Sequence, residues 1–248
     1  FMNAPAFMKN SLQLATLLLA LLFTAATASA IPGRAEVKKV VGKATVTNAK
    51  NATSSITEGM VLGTGDTITT GAGSYVDLFL GLNGDFLRVE ADTTLKIDNL
   101  DIGNVAQRTV TTQLDVQKGQ IVGNVVAKLT AASKYEIKTA SGVAGIRGTK
   151  YMVRRDASNN VTRIVCTEGT VTFVDRGVTI TIGANKAYTP PAAALSQAAV
   201  GAPNLPEVSL VNMIVAQLEK VGQTSISTST INTTTIANNP ADTSTSVK

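Results

Sequence analysis

The 248-residue sequence predicts an all-β protein, a β-solenoid or flattened β-roll with a β-sandwich as the second choice, followed by one helix and a disordered tail. Three observations predict it. Between Glu36 and Tyr188, short runs rich in Val, Ile and Thr are separated by Gly, Asn and Asp, the pattern of many short strands with tight turns. Aromatic residues are only 4% of the chain, so ranks of small branched side chains must fill the interior, which suits stacked β coils better than a sandwich core. The composition then changes at Thr189-Pro190-Pro191, where the β text ends.

Taken in order, residues 1–30 read as a signal peptide. Lys9 precedes an apolar run at 12–23, and Ala28-Ser29-Ala30 is a small-residue cleavage site before Ile31. The run falls short of the roughly 20 apolar residues that span a bilayer. Residues 31–190 form the β domain. Strands are expected at 37–46, 60–62 and 75–82, then at 86–89 after the turn Asn83-Gly84-Asp85, and at 94–97. Further strands are expected at 110–117, 120–128, 135–139, 149–155, 161–167, 171–174 and 178–182, the last two flanking Asp175-Arg176-Gly177. Residues 191–222 are an Ala/Pro-rich linker and then an amphipathic helix over 207–222. Its apolar stripe is Val208, Val211, Val215, Leu218 and Val221, it stops at Gly222, and it is expected to pack on one end of the β domain. Residues 223–248 are Ser/Thr-rich and expected to be disordered, with Ile226, Ile231 and Ile236 as a possible strand-adding segment.

The formal charge is +5, or +4 without residues 1–30, which hold Lys9 and no acid. The basic residues are scattered and not interleaved with aromatics, which argues against nucleic acid. Cys166 is the single cysteine, so an internal disulfide is excluded, and its strand-like surroundings make it a small buried hydrophobe rather than a nucleophile. With no histidine, a metal centre of His/Cys type is excluded and the supply of general bases is thin. Asp77 alternates with Val76 and Leu78, which places it on a solvated face. No enzyme activity, cofactor or metal is expected.

Two blocks carry the strongest pattern. The first holds Leu62, Gly65-Asp66, Gly71 and Gly84 in the run 58–97, where Gly65, Gly71 and Gly73 supply positive φ and Asp66 bonds nearby backbone N–H groups. The second holds Arg147-Gly148-Thr149 and, after a turn, Glu168-Gly169. In this order and spacing, over about residues 36–188, they resemble the FecR domain, the periplasmic sensor module named for the iron-dicitrate regulator. The resemblance implies an all-β extracytoplasmic domain in which these residues are structural. In the regulators a cytoplasmic anti-sigma segment precedes one membrane helix. Here the apolar run comes first, so the resemblance carries a fold and a compartment rather than the regulatory activity.

Arg147 is expected to be an internal pin bonding carbonyls or a carboxylate, with Asp66 as its partner. The expected role is a non-catalytic binding or signalling-type module, exported to the periplasm, outer envelope or medium, with an envelope protein or glycan as partner. Membrane contact is expected only through an uncleaved signal segment. The alternative is a structural or self-assembling surface protein using β-edge pairing.

Overall fold

The structure is a computed structural model that describes residues 31–107, 109–125, 129–158, 161–190 and 200–237. The expected signal peptide, most of the linker and residues 238–248 lie outside the described residues. The strands are β1 (Ile31–Pro32), β2 (Ala35–Val41), β3 (Ala44–Thr47), β4 (Thr53–Ser55), β5 (Val61–Leu62), β6 (Thr67–Thr70), β7 (Tyr75–Phe79) and β8 (Phe86–Val89). They continue with β9 (Thr94–Asn104), β10 (Thr109–Asn124), β11 (Lys134–Thr139), β12 (Gly142–Asp156), β13 (Val161–Asp175), β14 (Val178–Gly183) and β15 (Lys186–Tyr188). A helix, α1 (Leu205–Ala237), follows.

All fifteen strands join one sheet, and every pairing is antiparallel except β10 with β11. The sheet is all-β and curled, as the composition predicts. Its halves are two leaves around one core. In the first leaf β9, the start of β10, β11, the start of β12, the end of β13 and β14 lie side by side. In the second leaf β2, β7, β8, the end of β10, the end of β12, the start of β13 and β15 do so. Leu114, Ile137, Ala144, Val171 and Phe173 of the first leaf and Val76, Leu87, Ile121, Tyr151 and Ile164 of the second belong to a single buried cluster. A flat sheet cannot bring its distant strands into one core, so the leaves face each other.

Three strands therefore pass through both leaves. Segments that look like separate strands in sequence, 110–117 with 120–128 and 161–167 with 171–174, are β10 and β13 running unbroken through a bend. The bends fall at Gly119 (φ 89°), Gly148 (φ 58°) and Gly169 (φ 82°), conformations that L side chains disfavour.

The helix corrects one expectation and is longer than the sequence suggests. It packs on the outer face of the second leaf, not on an end of the domain. Val211, Ile214, Val215 and Leu218 meet Val122, Met152, Val165 and Ala187 there. It also runs past Gly222, with bounds Leu205–Ala237. An interior glycine costs a helix only about 1 kcal/mol, and this one fits a contact: a Cβ at Gly222 would lie 2.5 Å from the Phe86 ring. The helix start is a capping box. Asn204 Oδ1 accepts from the Glu207 N–H (2.9 Å), and the Glu207 carboxylate accepts from the Asn204 N–H (3.2 Å).

Candidate functional site

The two motif blocks are stitched into turns. Leu62 is buried in the core, and Gly65 turns with φ 93° while its N–H donates to the Ile97 carbonyl at 2.8 Å. The Asp66 carboxylate accepts from the Gly63 N–H at 2.8 Å, three residues back, which closes its own turn. Gly71 does not adopt the positive φ expected of it. Its carbonyl instead accepts N–H groups from Ser74 (3.2 Å) and Asp92 (3.3 Å), while Gly73 takes φ 64°. Gly84 (φ 139°) makes room for the Tyr135 ring, whose nearest atom lies 2.5 Å from where a Cβ would stand.

The second block forms the bend that β12 and β13 share. A Cβ at Gly169 would lie 1.9 Å from the Gly148 carbonyl oxygen, so the bends touch backbone to backbone. Thr149, fully buried, accepts from the Arg147 N–H (3.2 Å) and donates to the Thr170 carbonyl (3.2 Å). Glu168 is exposed and pairs with Lys150 at 3.0 Å. A small cleft of about 270 Å³ lies beside the bend, between Thr149, Glu168 and Glu219 of α1.

Arg147 itself is exposed, and no carboxylate among the described residues lies within ion-pair distance of it. The internal-pin expectation is thus corrected: Asp66 is spent on its own turn, and the arginine at the bend points to solvent.

The buried pin is elsewhere. Asp77 and Arg88, directly opposite on β7 and β8, are 0% and 5% exposed. Arg88 forks onto the carboxylate, Nε to Oδ1 at 2.6 Å and Nη2 to Oδ2 at 2.8 Å. Its remaining Nη1 donates to Gln217 Oε1 of α1 at 2.7 Å, and the guanidinium lies 4.0 Å from the Tyr75 ring centroid. Asp77 is therefore not on a solvated face, because α1 covers the side of the sheet that alternation assigns to water. The turn expected at Asn83-Gly84-Asp85 does not give this pair: the observed register, Phe79 with Phe86 and Leu78 with Leu87, centres between Leu82 and Asn83, and only that register sets the opposite charges of residues 77 and 88 face to face. Burial holds the Glu90 carboxyl above its ordinary value, against the pull of nearby Arg88.

Two more polar ties fix the helix. Arg163 forks onto Glu207 (Nε–Oε1 3.0 Å, Nη2–Oε2 2.7 Å), and the Asn124 amide donates to Glu219 at 3.0 Å. Hydrogen bonds from Arg163 hold the Glu207 carboxyl below the usual carboxylate range. Cys166 is buried, and burial pushes its thiol up to about 11, which suits a packed hydrophobe and not a nucleophile. Among the described residues there is no group of three or more His, Cys, Asp or Glu able to hold a metal ion. Among them, too, no helix is long and apolar enough to cross a membrane.

The two leaves differ on their outer faces. That of the second is covered by α1. That of the first carries the exposed Val143 of β12 directly opposite Val174 of β13, with Thr170 and Thr172 along the same strand and Arg147 at the rim beside the bend.

The FecR protein family matches residues 66–172, from the Asp66 turn through all three bend glycines to Val171 of the core. The chain carries a FecR domain. The match is narrower at both ends than the span of about 36–188 that the resemblance suggested, and it leaves α1 outside. FecR domains belong to regulatory rather than enzymatic proteins and are typically found in the periplasm or envelope. No curated protein matches the chain. Among solved structures, two crystal structures of a candidate anti-sigma factor from Parabacteroides distasonis are similar. Each gives a TM-score of 0.43 at 11% identity, covering 56% of this chain and 59% of that one. The FecR domain here places its motif residues at turns and at the bends between leaves.

Proposed function

We propose that this chain is an exported, non-catalytic module of the cell envelope that binds another protein and works in a signalling or regulatory assembly. The FecR domain supports the regulatory class, and the apolar run with its small-residue site at Ala28-Ser29-Ala30 supports export. The observation that carries binding is the uncovered outer face of the first leaf. Val143 and Val174 stand there 36% and 42% exposed, opposite each other, with the unpaired Arg147 at the rim. The second leaf covers its apolar row with α1, whereas the Val143–Val174 pair, set between Lys138 and Thr179, is covered by none of the described residues.

The test is capture of envelope proteins from the producing bacterium by the immobilised full chain, wild type against Val174→Glu and Arg147→Glu. Loss of one captured protein in both variants supports the reading. Capture of nothing, or equal capture by all three, overturns it.

A further inference from the structure

The outer face of the second leaf is only partly covered by α1. One row of side chains beyond the helix, Glu90 just past β8, then Gln120, Arg154 and Arg163 of β10, β12 and β13 follow each other, and a groove of about 670 Å³ opens over them. Lys118 forms part of its wall. The volume is that of an ordinary ligand site.

Arg154 and Arg163 are direct cross-strand partners. Like charges in that relation repel and destabilise a sheet, so the pair asks for compensation. Half of it is supplied, because Glu207 comes down from α1 and takes Arg163 through two hydrogen bonds. Arg154 feels the same Glu207 carboxylate through space but donates no hydrogen bond to it. Arg154 is exposed, as is Lys118, and neither forms an ion pair among the described residues. The groove thus already holds one carboxylate in a two-point grip and places a second arginine beside it.

The acids of the groove say which anion fits. Glu90 leans toward Arg88 (3.9 Å). Asp156 accepts from the Ser158 N–H (3.0 Å) and hydroxyl (2.6 Å), and Asp92 lies exposed at the rim. These negative groups oppose a continuous polyanion but leave room for a single carboxylate among neutral neighbours.

We infer that this groove is a docking site for an acidic side chain of a partner polypeptide, with Arg154 gripping its carboxylate as Arg163 grips Glu207 and Lys118 adding attraction. The inference rests on the protein-binding reading above and names a second surface for it.

The probe is a fluorescent Ala/Ser peptide with a single central Glu, compared with its Gln counterpart, binding to the full chain at low salt by anisotropy. The Glu peptide should bind at least about tenfold more tightly than the Gln peptide. Arg154→Glu and Lys118→Glu should each remove that advantage, and Arg154→Lys should keep only part of it, because an ammonium lacks the fork. Both positions are exposed, and unchanged melting of the variants excludes a folding defect. Equal binding of the two peptides overturns the proposal, as does an Arg154→Glu variant that binds normally. Competition by an oligothymidylate as strong as by unlabelled Glu peptide also overturns it, since that marks a general polyanion surface. This assay uses no captured protein, so its failure leaves the envelope-capture test standing, and the reverse holds too.

Discussion

Asp77→Ala should be among the most damaging single changes outside the apolar core. It leaves the Arg88 guanidinium, 5% exposed, without the carboxylate that takes two of its hydrogen bonds. Removing one partner of a buried pair costs about 3–5 kcal/mol. Gln217 still accepts from Nη1 at 2.7 Å, and Glu90 lies 3.9 Å from Nε, so the loss belongs at the low end, about 3 kcal/mol. For a domain of this size that is a fall in melting temperature of about 6–12 °C. Replacing both partners with apolar side chains of similar volume, Asp77→Leu with Arg88→Met, removes the stranded charge and should return stability to within about 1 kcal/mol of wild type or above it. Gln217→Ala, which takes away one neutral acceptor at the helix, should cost about 1 kcal/mol. Urea denaturation of wild type, Asp77→Leu, Arg88→Met and the double variant gives the cycle, with Asp77→Ala and Gln217→Ala measured beside it. A single-variant loss below about 1 kcal/mol, or a double variant as weak as the sum of the singles, would refute the view that this pair is the pin between sheet and helix.

Other predictions follow from the bends, the thiol and the helix start. Gly169→Ala should cost about 2–5 kcal/mol, adding a disfavoured φ of 82° to a Cβ 1.9 Å from the Gly148 oxygen. Gly148→Ala, with nothing within 4 Å, should cost only about 1–2 kcal/mol, and equal urea midpoints would contradict this difference. The Cys166 thiol should resist a disulfide reagent at mild alkaline pH in the folded chain and react at once in denaturant, and fast reaction in the folded chain would count against its burial. Glu207 has a folded pKa below its unfolded one, so its contribution is fully present above the unfolded value of about 4.3 and is lost as pH falls through the lower folded value. Acid titration of α1 by far-UV circular dichroism should show that limb, and Glu207→Gln should lack it.

The strand text and the motif turns were legible because they are local: Gly65-Asp66 closes a turn with its own neighbours, and Asn83-Gly84 marks the presence of the β7–β8 hairpin, though not its register. Faces were less legible, because alternation says which residues share a side but not what lies against it. Asp77 reads as solvated until α1, more than a hundred residues later, covers it. Arg147 stands between Gly145 and Gly148, a place that suggests a pin, yet the bend is held by backbone contact and by Thr149. The continuity of β10 and β13 was hidden for a related reason. Gly119 and Gly169 look like strand ends in sequence, and only the pairing on both sides shows that the strand turns the corner and continues.

That continuity limits how the molecule can come apart. With β10, β12 and β13 each hydrogen-bonded in both leaves, neither leaf can peel away while the other keeps its ladders. Slow amide exchange should therefore appear as one cooperative unit spanning both, without a weakly protected half that opens first. Any signal passed through this domain would have to travel as a movement of loops, faces or the helix over a body that stays closed.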